Sequence, residues 1–158
     1  FEWGLDHGAW SVLKYLYPDA SIPCVQLSID ASRTPNEHFA IAKLLQPLRE
    51  EGILIVASGN IVHNLRMIRW QEQSTPYDWA DEFNEQFKIH LLNQDYQALV
   101  EWQHFGKSAL LSVPTAEHYL PAIYTLGTGL DDEVAEIIID GIEMASISML
   151  AFGVGLKR

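Results

Sequence analysis

Apolar and polar positions alternate along the chain between two spacings, one helical and one strand-like. Asp6 is suited to cap a helix, and Trp10, Leu13 and Tyr17 follow at helical spacing before Tyr17-Pro18-Asp19-Ala20 stops the pattern. This predicts a helix over about 9–17. Residues 23–29 form a nearly continuous apolar run rich in β-formers, as expected of a strand covered on both faces. A polar loop over 30–36 follows, then a helix carrying Ile41, Leu44, Leu45 and Leu48, which Pro47 should kink or end early. Residues 53–57 predict a second buried strand, Ser58-Gly59-Asn60 a tight turn, and 61–70 a further helix.

Beyond a loop at 71–76, Thr75 and Pro76 suit the N-cap and first position of a helix whose Trp79, Phe83, Phe87 and Leu91 form a core stripe. A further helix holds Tyr96, Leu99 and Val100. Another, capped by Thr115, carries Tyr119, Ala122, Ile123 and Leu126 and stops at Gly127. Residues 134–139 and 145–152 predict two closing strands, antiparallel neighbours. The alternation of helices and buried strands predicts an α/β fold: a central, largely parallel or mixed sheet flanked by helices.

Composition bounds this picture. A chain of 158 residues, 48% hydrophobic and 20% charged, suits one folded domain. Its first residues, Phe1-Glu2-Trp3-Gly4-Leu5-Asp6-His7-Gly8, read like the middle of a domain, so residues 1–158 are expected to be the C-terminal portion of a larger one. Ten Lys and Arg stand against 21 Asp and Glu, a net charge of -11. That balance repels phosphate backbones and anionic lipid heads, which argues against nucleic acid and membrane partners. The single cysteine, Cys24, excludes an internal disulfide and a cysteine-based zinc cluster, and its apolar surroundings predict a buried thiol. With no apolar run of ~18 residues and no signal-peptide pattern, a reducing cytoplasmic setting is expected.

Three of the six histidines have similar addresses. His7 follows Asp6 at a helix start, His63 follows a predicted strand and glycine turn, and His118 lies near the start of the helix after Thr115. In open α/β sheets, ligands bind where such loops and helix starts gather. A helix N-terminus disfavours imidazolium, and neutral imidazole is what a metal ligand or general base requires. The spacings exceed any local zinc motif, so convergence must be tertiary. His38, His90 and His104 have polar neighbours and are expected to be solvated. Arg66 could clamp a substrate carboxylate, Asn64 lies between it and His63, and Tyr119 could reach a substrate oxygen, although its helical phase equally suits the core. G-x-S-x-G, Walker A and G-x-G-x-x-G patterns are absent.

The same residues carry a family resemblance. Gly4-Leu5-Asp6-His7-Gly8-Ala9-Trp10, Val25-Gln26-Leu27-Ser28-Ile29-Asp30, Ala57-Ser58-Gly59-Asn60-Ile61-Val62-His63-Asn64-Leu65-Arg66, Pro114-Thr115-Ala116-Glu117-His118-Tyr119-Leu120-Pro121 and Gly141-Ile142-Glu143-Met144-Ala145-Ser146-Ile147-Ser148-Met149 resemble the class III extradiol ring-cleavage dioxygenases, most nearly the 4,5-DOPA dioxygenase group. The resemblance implies a mononuclear non-haem metal site and ring opening of a catechol such as DOPA with O2, giving a seco-DOPA semialdehyde. It implies His118 as a metal ligand, His63 as a ligand or the acid/base, and His7 as a pocket residue assisting with protons; Tyr119, Arg66 and Asn64 stand beside these as substrate-side candidates from their own chemistry. Fe(II) is the expected metal because O2 chemistry needs a redox-active centre, and Zn(II) is a possible bound ion. The family takes two further histidine ligands from Gly-His-Gly-Ser and Ser-Ala-His-Trp type segments, which this sequence lacks, so upstream polypeptide is expected to complete the site. Two other activities remain open on the sequence: zinc-dependent hydrolysis on the same scaffold, and a non-catalytic metal-binding or interaction role with a basic partner.

Overall fold

The computed structural model describes residues 4–71 and 74–156. Helices dominate, with short antiparallel strands gathered at the C-terminal end. Helix α1 spans His7–Leu16, and the Asp6 carboxylate accepts from the Ala9 N–H at its start, as the sequence predicts. Helix α2 covers Pro35–Leu44. It opens in a full capping box in which Thr34 and Glu37 each accept from the other's backbone N–H. Pro47 does end the pattern: α2 stops at Leu44, and Pro47 sits in the first turn of a separate short helix, α3, Gln46–Glu50.

The main core is built on helix α4, Asp78–Leu92. Its Phe83, Phe87 and Leu91 are fully buried, while Trp79, at the rim, stacks on Tyr77. Tyr77, rather than Thr75, caps this helix; its own N–H is spent on the Ala145 carbonyl, which starts the helix later than the proline suggests. Helices α5 (Tyr96–Val100), α6 (Lys107–Ser112) and α7 (Leu120–Gly127) complete the layer with Leu99, Ala109, Ile123 and Leu126. Complete burial of each large apolar side chain contributes about 1.5–3 kcal/mol. Helix α2 closes on α7 across Gly127, where an added Cβ would lie 2.4 Å from the Ala42 Cβ.

Four strands follow. β1 (Ala135–Ile139) pairs antiparallel with β4 (Ala151–Val154), and β2 (Ile142–Glu143) with β3 (Ile147–Ser148). The first closing run is present as β1, but 145–152 is not one strand: it holds β3, a break at 149–150 and the start of β4, and Met144 and Ala145 in the β2–β3 loop both adopt positive φ. The α/β class holds, but no parallel pair occurs among the described residues.

Several expectations are corrected. Residues 23–29 and 53–57 belong to no ladder, and most of their side chains are exposed, Val25 by 98%, Leu54 by 66% and Leu27 by 59%, with Ile29 and Ile55 partly covered. A strand covered on both faces needs neighbours that the described residues do not provide. Cys24, in the same run, is exposed rather than buried. The helix expected over 61–70 is replaced by an extended segment and a single 3-10 turn, Leu65–Met67, because the backbone of 62–64 is committed to strand-like bonds with distant residues. His38 is wholly buried between α2 and α7, its Nδ1 2.9 Å from the Tyr124 hydroxyl. His90 is partly covered, stacked on Phe105 and bonded to Asp95. Only His104 of these three is solvated as expected.

Candidate metal and proton-transfer site

The segment 60–64 is held from both sides. The His63 N–H donates to the Ser112 carbonyl at the end of α6 (2.8 Å), and His63 bridges Ile147 of β3. Ser148 N–H donates to the Val62 carbonyl, Asn64 N–H to the Ser146 carbonyl, and the Ser146 hydroxyl to the Asn64 carbonyl. On the other side, the Asn60 N–H donates to the His118 carbonyl at 2.8 Å. Gly59 makes that approach possible, since a Cβ there would lie 2.2 Å from the His118 carbonyl oxygen.

His118 ends a 3-10 turn, Ala116–His118, directly before Tyr119. Tyr119 is fully buried; its hydroxyl donates to the Leu99 carbonyl and its ring packs among Phe83, Phe87 and Trp102. Burial pushes its phenol well above the usual range. This is the core placement that its helical phase allowed, and it commits the hydroxyl proton away from any substrate.

The result is a pair of imidazoles brought together from distant parts of the chain. The His63 and His118 rings stack 3.6 Å apart with 13° between their planes. His63 is half-buried, and loss of solvent, aided by the neighbouring His118, pulls its pKa below the usual imidazole range. Its neutral form is thus favoured at neutral pH. Glu117 lies beside the pair, its Oε1 accepting from the Thr115 hydroxyl (2.7 Å) and lying 3.3 Å from His118 Nδ1. Burial raises the Glu117 carboxyl, but the Thr115 hydroxyl, a backbone N–H and His118 together hold it below its ordinary value.

The remaining sequence candidates fall differently. His7 sits in the first turn of α1 with its ring edge-on to Trp10, and it makes no ring contact with the stacked pair. Its neighbour Gly8 nevertheless lies against the Ser58 side chain, which puts the α1 start beside the 58–60 turn. Asn64 is buried, with its amide nitrogen donating to Leu111 and its oxygen accepting from the Arg66 N–H. It shapes the loop with both ends of its side chain. The exposed Arg66 guanidinium makes no ion pair or hydrogen bond among the described residues. Sequence reasoning missed the Glu117 contact by treating Thr115 as a helix cap; the Thr-x-Glu spacing ahead of His118 was the available signal.

Imidazole nitrogen suits Fe(II) and Zn(II), and neutral, partly desolvated rings are the form a metal accepts. The pair therefore fits part of a donor set. No group of three or more His, Cys, Asp or Glu with metal-holding geometry occurs among the described residues.

The model of the catalytic LigB subunit of aromatic ring-opening dioxygenase matches residues 2–155. The chain belongs to this LigB family. A 4,5-DOPA dioxygenase extradiol of Escherichia coli K12 is 50% identical over 157 residues, covering 97% of this chain and 57% of that protein. Proteins of the same name from Beta vulgaris and Portulaca grandiflora are 31% and 33% identical, over 85% and 87% of this chain. A crystal structure of an uncharacterized E. coli K12 protein superposes with a TM-score of 0.88 at 49% identity, covering 95% of this chain and 62% of that one. The chain thus spans 57%, 50% and 51% of the length of these three curated proteins.

Proposed function

We propose that this LigB-family chain carries the proton-transfer and metal-binding half of an extradiol dioxygenase that opens a catechol such as DOPA by 4,5-cleavage. The stacking of His63 on His118 carries the reading, because it joins two candidate residues from distant parts of the sequence in one partly desolvated site. His118 is the metal ligand. His63, kept neutral, accepts a phenolic proton from the catechol and returns a proton later in ring opening; its backbone anchors to Ser112 and Ile147 fix its position. His7 acts from the α1 start as an assisting proton or hydrogen-bond group. Arg66, whose head makes no ion pair or hydrogen bond among the described residues, binds a substrate carboxylate, and Asn64 holds the loop that carries it. When bound, Fe(II) supplies the redox chemistry that O2 requires, whereas Zn(II) fills the same donors without it.

Two imidazoles do not complete a site, and we propose that further polypeptide of the same domain supplies the remaining ligands. The largely exposed apolar runs 23–29 and 53–57, the second of which leads into the 58–60 turn, and the greater length of the relatives support this.

The test is made on the full-length protein. His118→Ala is expected to lose bound metal as its primary defect. His63→Ala is expected to keep metal while oxygen uptake with DOPA falls by about 10²–10⁴-fold. A loss below tenfold rejects the acid/base role, and a parallel loss of metal makes His63 a ligand instead. Absence of oxygen uptake by the Fe(II)-loaded protein with any catechol would remove the dioxygenase reading itself.

A further inference from the structure

Glu117 meets His118 at a partly exposed position through a single carboxylate oxygen. An ionised carboxylate can only accept hydrogen bonds, so Oε1 at 3.3 Å from Nδ1 calls for a proton on that nitrogen. The same oxygen accepts from the Thr115 hydroxyl at 2.7 Å, which favours this orientation of the Glu117 side chain. The backbone of His118 is fixed independently, by the Asn60 N–H on its carbonyl and by Tyr119 anchored in the core. With the proton on Nδ1, the lone pair of the ring lies on Nε2.

We infer that Glu117, oriented by Thr115, is a positioning residue that sets the tautomer of His118 and so assigns Nε2 as the metal-donor atom. The inference rests on His118 being a ligand. Carboxylates bonded to the second nitrogen of a ligating histidine orient the ring and raise its basicity, and losing one typically weakens metal binding 10–100-fold. Thr115 acts one bond further out, so its removal should cost less.

The test uses the full-length protein with Zn(II) as probe, its dissociation constant read by competition with a chromophoric chelator. Glu117→Ala is expected to weaken Zn(II) about 10- to 100-fold, with Glu117→Asp recovering part of the loss and Thr115→Val costing a few-fold. Nitrogen-15 NMR of the metal-free protein supplies a readout that a merely structural role would not move. Wild type should show His118 protonated at Nδ1, and Glu117→Gln, which preserves size if the alanine variant fails to fold, should shift the ring towards the Nε2–H form. Unchanged zinc affinity together with an unchanged tautomer overturns the inference while leaving the site intact. If His118→Ala also binds zinc normally, the site reading fails instead.

Discussion

At the scale of single residues, the site depends on what is left out as much as on what is present. Gly59 lets the 58–60 turn press onto the His118 carbonyl, and a methyl group at this position has no room. Gly59→Ala should therefore push the two histidine segments apart, destabilising the fold by about 1–3 kcal/mol and lowering ring-opening activity in the full-length protein. Denaturant midpoints and oxygen uptake check the two effects separately; wild-type values for both would show that the turn relaxes without cost. Much of this scale was legible in the sequence. Asp6 caps α1 as expected, and His63 and His118 meet. What was hidden followed from partners remote in the chain. Nothing local to Asn64 announces that Leu111 will take its amide, nor does the neighbourhood of His38 reveal that Tyr124 will cover it.

At the scale of elements, propensity succeeded where helices carry their own reasons to form and failed where the backbone is claimed from elsewhere. The Phe83, Phe87, Leu91 stripe sets α4 regardless of context, and Pro47 divides α2 from α3. The stretch after Asn60 looks helical, yet β3 and the end of α6 hold its backbone extended. Helix α6 lacks a strong signal because its buried face is small, with Ser108, Ala109 and Ser112. One inter-element tie has a definite pH signature. Lys88 of α4 lies between Glu85 and Asp140, which directly follows β1. The hydrogen bond from Lys88, opposed by burial and aided by Asn84, holds the Asp140 carboxyl below its ordinary value. Its stabilising contribution is therefore complete above about pH 4 and disappears as pH falls through the lowered folded-state value. Because Asp140 is 40% exposed, the contribution should stay below about 1 kcal/mol. Lys88→Met is expected to lower stability slightly at pH 7 and to converge on wild type near pH 2, as measured by urea unfolding. A gap that widens in acid would contradict the assignment.

At the scale of the whole molecule, the expected parallel sheet is the chief difference between pattern and structure. The apolar runs at 23–29 and 53–57 are expected to be buried strands, yet they join no ladder and stay largely exposed, because sequence pattern registers the need for cover and not its source. Among the described residues, no helix is long and apolar enough to cross a membrane. Exposed extended segments of this kind invite edge-to-edge pairing. The 158-residue chain produced alone should bind a hydrophobic dye strongly and self-associate with rising concentration, and replacing Val25 and Leu54 by lysine should reduce both. Light scattering that stays monomeric at all concentrations would show the runs to be harmless.

The second of these runs passes straight into Ser58, Gly59 and His63. Whatever pairs along 53–57 thereby restrains the chain leading to the imidazoles, drawing down the entropy of the loop before any reactant arrives. On the proposed role of His63, assembly and readiness for chemistry are thermodynamically linked: the cost of ordering that side chain is met during folding rather than at each turnover.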